Sequence, residues 1–388
     1  MLTIRVFLLA ILVMNPLRHY SQNLPSDYLS EKADIGAYGK AGSSNYDTKE
    51  QVYYLQSPIL KDLEKEDVIE HFVYKKISGN SLITVNLSWE GEVPKFASMG
   101  LMIRSSLSRE SPFIIRAGIR ADNFPAFMGE KNGGIEFVGR RSFYRKKSSV
   151  LQLERADEFI ICRASMHGEP LQVMDTFVIP ELEEEVLIGL YIYALGDKPT
   201  RAKAWNVRID QPVQKGYDAY EDGFMDSRLE TINVLTGERK IIHEHRGKLE
   251  APNWMPDGEK LLYNQDGHIY TISLEGGEPQ QLDTGSADRN NNDHGISFDG
   301  KLLAISHHRE NMPAGGSTVY VLPLEGGEPQ LVTEHTPSYW HGWSPDNESV
   351  IYVAKREGDE RYNIFRKSIH GGEEEQLTDI AEGEHVDG

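Results

Sequence analysis

The chain has 388 residues, with 60 acidic against 41 basic side chains and a formal charge of -19. Hydrophobic residues at 39% and charged ones at 26% are a globular composition, and the length allows two or more cores. So acidic a surface repels phosphate backbones and anionic lipid, which argues against a nucleic-acid partner and against membrane insertion after export.

Arg5 is followed by the apolar run "VFLLAILVM", residues 6–14. This run is too short to span a bilayer, which needs roughly 20 residues. A short positive start and a short apolar centre read as a signal peptide over residues 1–22, cleaved near Ser21 or Gln22, and predict a periplasmic or secreted protein. No cysteine near that point offers a lipid anchor. The only cysteine, Cys162, lies in the apolar run "EFIICRAS" and reads as a buried, inert thiol.

Residues 30–210 read as short strands between polar or glycine-rich turns. Candidates are residues 71–76, 81–89, 99–106, 113–119, 134–139, 150–155, 159–165, 185–193 and 204–209. Within 81–89, Ile83, Val85, Leu87 and Trp89 alternate with Leu82, Thr84, Asn86 and Ser88, the pattern of a half-buried antiparallel strand. So many strands without a helical period predict an antiparallel, jelly-roll-like β-sandwich. The basic cluster "RRSFYRKK", residues 140–147, reads as a solvated loop. Glu154 and Glu158 read as solvent-facing residues around a turn, and no catalytic carboxylate pair stands out.

The blocks "DIGAYGKAGSSNYD", "GLMIRSSLSRESPF" and "LQLERADEFIICRASMHGEPL", with "VLIGLYIYA" before "AWNVRID", resemble concanavalin-like, laminin-G-like sandwiches of secreted bacterial proteins. The resemblance covers most of residues 34–210 and implies glycan binding or an accessory role.

After a linker at 211–226 the pattern becomes repetitive. Turn residues Asp257, Asp299 and Asp346 are 42 and 47 residues apart; double glycines start at Gly276, Gly326 and Gly371, 50 and 45 apart. Periods of ~40–50 residues carrying four short strands are those of propeller blades. Pro256-Asp257-Gly258 is expected to close a hairpin with its glycine at positive φ, so the turn aspartates take a structural and not a catalytic role. These blocks, with "NNDHG" and "SYWHGWSPD", resemble TolB-like propeller repeats of secreted proteins. Residues 227–388 are therefore expected to form a partial propeller of about three and a half blades. The half blade is residues 227–244, and the count suggests a sequence truncated at its C-terminal side.

In a propeller the first strand of each blade lines the channel. Asn292, Asp293 and His294, then Tyr339, Trp340 and His341, and finally His385 and Asp387 fall just before or at such strands, each group next to a glycine. These eight residues are the candidate ligand site at the channel mouth. Three readings stay open. The groups could hold a sugar or a peptide end; His294, His341 and a later His or Asp could hold a divalent metal, as in propeller polysaccharide lyases; or they could satisfy channel-facing backbone and water. His307 and His308, adjacent on a strand, point to opposite faces and form no chelating pair. No nucleophile elbow, P-loop or HExxH motif occurs, and no cofactor is implied. The expected function is non-catalytic recognition of a glycan or envelope protein, with a carbohydrate-active, metal-dependent lyase as the alternative.

Overall fold

In the computed structural model the structure describes residues 25–36, 40–59, 69–131, 146–180, 182–213, 215–223, 226–312, 316–358 and 361–379. The expected signal peptide, the strand at 134–139, most of the basic cluster at 140–147, and His385 and Asp387 lie outside the described residues.

Up to residue 210 the described strands are β1 (Glu31–Ile35), β2 (Ser43–Asp47), β3 (Val52–Gln56), β4 (Glu70–Ser78), β5 (Ser81–Glu90), β6 (Ala97–Arg104) and β7 (Phe113–Arg120). They continue with β8 (Pro125–Lys131), β9 (Val150–Ala156), β10 (Phe159–Ser165), β11 (Gln172–Val178), β12 (Glu185–Ala194) and β13 (Arg201–Asp210). They form two antiparallel sheets, ordered β1-β4-β12-β6-β7-β8 and β11-β10-β9-β5-β13-β3-β2. The inner faces share one core that includes Ile83, Val85, Leu101, Leu153, Ile160 and Ile188, all fully buried. Burying each such aliphatic side chain stabilises the sandwich by about 1.5–3 kcal/mol. Cys162 belongs to this core.

The six-stranded sheet also buries its second face. Phe72, Tyr74, Met102, Ile114 and Tyr191 cluster there because alternate residues of a strand face opposite ways. Tyr191 lies across the sheet, its hydroxyl 2.9 Å from Ser98 Oγ, where a Cβ on Gly118 would stand 2.1 Å from the same hydroxyl. Only glycine leaves that room.

The repeats form three four-stranded antiparallel sheets. These are β16 (Leu249–Trp254), β17 (Lys260–Gln265), β18 (His268–Ser273) and β19 (Gln280–Gln281), preceded by the hairpin β14 (Ser227–Ile232) and β15 (Arg239–His245). The second blade is β20 (Asn290–Ile296), β21 (Leu302–His308), β22 (Ser317–Pro323) and β23 (Gln330–Leu331). The third is β24 (Ser338–Trp343), β25 (Ser349–Ala354), β26 (Asn363–Ser368) and β27 (Glu375–Gln376). The chain is thus all-β: a sandwich followed by a partial propeller. Second strands are apolar on both sides because blades stack face to face. Leu262 and Ile269 meet Leu303 and Ile305 between the first two blades, and Ala304 and Val319 meet Val350 and Tyr352 between the next two.

The turn after each inner strand follows the expected chemistry. Gly258, Gly300 and Asn347 have φ of 71°, 71° and 64°, and each donates its N–H back to residue 255, 297 or 344 at 2.9 Å. Asp299 and Asp346 accept from Ser297 and Ser344 hydroxyls at 2.8 and 2.5 Å, while Asp257 accepts the Glu259 N–H at 2.8 Å. The aspartates are turn caps.

The half blade is not an open hairpin. One face of β14–β15 places Leu229 and Ile242 against Leu261 and Tyr263 of the first blade. The outer edge of β15 is covered by side chains of the sandwich. Asn206 Nδ2 donates to the Gly237 carbonyl at 3.0 Å, and Asn206 Oδ1 accepts from Arg239 N–H at 2.8 Å. Arg208 Nη2 donates to the Arg239 carbonyl at 3.4 Å, and Gln51 bonds both the N–H and the carbonyl of Ile241. An exposed strand edge is a template for unwanted pairing, and here side-chain amides and a guanidinium take the place of a partner strand.

Candidate binding site on the propeller inner strands

Each inner strand breaks its ladder at a similar place. The register shifts between Glu250 and Asn253 in β16, between Asn290 and His294 in β20, and between Trp340 and Gly342 in β24. A bulge leaves residues unpaired and re-aims their side chains. The residues released are Ala251 and Pro252, then Asn291–Asp293, then His341.

The Asn-rich bulge is held from behind by the preceding blade. Asn264 Nδ2 donates to the carbonyls of Asn290 and Asn291 at 2.9 and 2.8 Å, and Asn290 Nδ2 donates to those of Gly267 and Ala287 at 3.1 and 2.9 Å. Within the bulge, Asp293 accepts from Asn291 Nδ2 at 3.0 Å and from Asn292 Nδ2 at 3.1 Å, while its N–H donates to Asn291 Oδ1 at 2.9 Å. Asn292 is exposed and Asp293 half-buried. Across the blade boundary stands Tyr339, whose ring centroid is 6.2 Å from that of Tyr362. Burial raises the Tyr339 hydroxyl pKa, with Tyr362 and the charge of Asp293 adding to the rise. Tyr339 and Tyr362 thus stand together in the third blade, with Asp293 of the second blade near enough for its charge to act on Tyr339.

The two histidines stand at equivalent sequence positions, five residues before their turn aspartates, yet the bulges treat them differently. His294 is paired with Ile305 in the ladder and only 4% exposed; neither ring nitrogen makes a well-formed hydrogen bond, although backbone groups of Asn291 and Ala251 lie close to the ring. Burial pushes its pKa down to about 4, partly offset by the backbone of Asn291 and Ala251, so its imidazole is neutral. His341 is the bulged residue and is exposed. Trp340 turns toward the second blade. Its N–H donates to Ser306 Oγ at 2.8 Å, its indole fills the space a Cβ on Gly295 would occupy, and its Nε1 is buried without a partner. Trp343 Nε1 donates to the Gly295 carbonyl at 3.0 Å, so Gly295 serves blade packing. Among the described residues no group of three His, Cys, Asp or Glu side chains could hold a metal ion.

Tyr362 and Asn264 escaped the sequence reading. Tyr362 lies in the loop before a third strand, where no repeat signal points, and Asn264 occupies a second strand that otherwise reads as core. Their partners identify them, not their own positions.

In the sandwich, the second face of the six-stranded sheet carries a buried ionic network. Arg116 grips Glu70 through Nε at 2.9 Å and Nη2 at 2.8 Å and reaches Glu130 at 2.7 Å, while Arg104 Nη1 lies 3.4 Å from Glu70. Arg104 is fully buried, which lowers its pKa to about 10 against the pull of Glu70. It also donates to the carbonyls of Ser106 and Ser108, both at 2.5 Å. Glu154, by contrast, pairs with Arg163 at 2.5 Å, and Glu158 is exposed.

Residues 216–386 match the family model described as the TolB beta propeller domain. This part of the chain is a TolB-like propeller domain. A curated relative, the uncharacterized protein Atu1656 of Agrobacterium fabrum (strain C58 / ATCC 33970), is 45% identical over 157 residues, covering 40% of this chain and 52% of its own. The chain thus spans about half the length of that relative. The solved putative TolB from Agrobacterium tumefaciens is 45% identical over 40% of this chain and 55% of its own, with a TM-score of 0.37. An oligogalacturonate lyase in complex with manganese aligns over 92% of this chain and 89% of its own at 11% identity, with a TM-score of 0.34. Among the described residues no helix is long and apolar enough to cross a membrane.

Proposed function

We propose that this chain is an exported recognition protein that binds a glycan or an envelope protein without chemistry, using the bulged side of the TolB-like propeller's inner strands. The observation that carries the reading is the cross-blade cluster of Asn292, Asp293, Tyr339 and Tyr362. Amide and carboxylate groups donate to and accept from hydroxyls, and phenol rings offer flat apolar faces with a polar rim. That mixture suits a sugar or a polar peptide turn. Export rests on the apolar run at residues 6–14.

The test is a glycan array followed by calorimetric titration of the full chain with any sugar that binds. Asp293→Asn and Tyr339→Phe should each weaken binding about tenfold, the value of one charge-assisted hydrogen bond, while the melting temperature stays unchanged. Folded variants that bind as tightly as the parent would move recognition away from the inner strands. Release of shortened, unsaturated sugar products on adding a divalent metal would favour the lyase instead.

A further inference from the structure

The segment Pro25–Leu29 lies between the sandwich and the hairpin β14–β15. Ser26 donates through both N–H and Oγ to Glu244 on β15, each at 2.7 Å, and its carbonyl accepts from Lys75 Nζ on β4 at 2.8 Å. The Leu29 N–H donates to the Tyr53 hydroxyl at 2.7 Å, and the Leu29 side chain is 1% exposed. Asp27, 4% exposed, sits at the centre.

The charges around Asp27 do not balance. Arg228 on β14 is 3.0 Å from Asp27, but it also faces Glu244 at 3.2 Å, Asp210 at 3.8 Å and Glu230 at 4.0 Å. Glu230 in turn takes Arg208 at 2.6 Å and Arg239, which is half in solvent. From the sandwich, Tyr46 and Tyr53 face Asp27 with phenols that stay neutral, since burial raises both. Asp27 Oδ2 is buried with no hydrogen bond despite the nearby guanidinium. Four carboxylates thus compete for the few buried cations, and the most buried carboxylate gains least.

We propose that residues 25–29 form a strap that fastens the hairpin to the sandwich and seats more tightly as the medium becomes mildly acidic. The strap's Ser26 and Asp27 also wall a cleft of about 880 Å³ with Arg228 and Glu244, so seating the strap shapes that cleft. Burial raises the Asp27 pKa from 3.8 to about 6, against Arg228, the Ile209 N–H and Arg208, with Asp210 adding to the rise. A raised carboxyl pKa means that the released strap holds its proton less well than the seated one. Opening is therefore favoured as pH rises from about 3.8 to about 6 and above.

Hydrogen exchange of the full chain, corrected for intrinsic exchange rates, tests this at the amides of residues 28 and 29. Protection in the wild type should fall about tenfold between about pH 5 and pH 7.5, the change expected for these two pKa values. Asp27→Asn, or Asp27→Ser if the first folds poorly, should abolish the fall and stay protected at both pH values. The rest of the junction is unchanged in these variants, so any pH dependence from elsewhere remains and is subtracted. Protection that does not change with pH in the wild type, or an equal fall in the Asp27 variants, overturns the proposal.

Discussion

Gln51 binds Ile241 through both ends of one amide: its Nε2 donates to the Ile241 carbonyl at 2.8 Å, and its Oε1 accepts the Ile241 N–H at 2.9 Å. Gln51 has φ of 55°, a left-handed backbone that turns its side chain onto the hairpin edge. Ile241 and its neighbour Ile242 point oppositely, one to the sandwich and the other into the first blade. The hairpin is therefore an adaptor between the two halves. Gln51→Ala would leave two backbone groups unpaired in a part-buried place, at a cost of about 1–3 kcal/mol. Chemical denaturation should show that loss, and protease cleavage within residues 226–246 should speed up.

Gly295 has no room for a methyl group, because its Cβ would stand 2.0 Å from Trp340 Cη2. Gly295→Ala should destabilise the propeller by about 1–3 kcal/mol through overpacking. In a Trp340→Ala background the same change should cost less than about 1 kcal/mol, because the clashing ring is gone. Equal costs in both backgrounds would mean that the indole is not what excludes the methyl.

His294 gives the propeller its own acid sensitivity. Its pKa is about 4 when folded and 6.5 when free, so the unfolded chain binds the extra proton between those values. Stability should be full above about pH 6.5 and fall as pH drops toward about 4, by up to roughly 3 kcal/mol from this residue. His294→Asn should flatten that part of the pH–stability curve. Thermal melts at closely spaced pH values would show whether it does. This trend is opposite in sign to that expected at Asp27.

Cys162 should not react with a thiol reagent in the native protein. Its side chain is fully buried, and burial raises its pKa far from neutral, with Asp175 adding to the effect. Labelling should appear only with denaturant, at the rate at which the sandwich unfolds. Fast labelling under native conditions would mean that the core around β9 and β10 opens readily.

The turn grammar and the apolar second strands made the blades legible from sequence, because both are local: a glycine or asparagine at positive φ and a run of apolar residues report on their own neighbourhood. Short apolar runs likewise marked β4, β5, β6, β7, β9, β10, β12 and β13, with alternation clearest in β5. The reading missed β1, β2, β8 and β11, which lie at sheet edges and carry weak patterns, and also β3, a five-residue strand between β13 and β2. The candidate site was only partly readable. Asn292, Asp293 and Tyr339 stand out as polar and aromatic residues beside a repeat, whereas Tyr362 becomes visible only once the third blade folds and Asn264 only when the blades stack. Equivalence in the repeat also suggested one role for His294 and His341; a shift of the bulge by a few residues instead buries one and exposes the other. The junction was invisible for the same reason. Gln51, Asn206 and Arg208 are far in sequence from the hairpin edge they cover, and a polar side chain carries no local sign of which distant backbone it will satisfy. Sequence alone determined the elements and their repeat, since these follow from short-range periodicity. Tertiary structure alone decided which polar groups meet, since hydrogen bonds between distant segments depend on how the sheets pack.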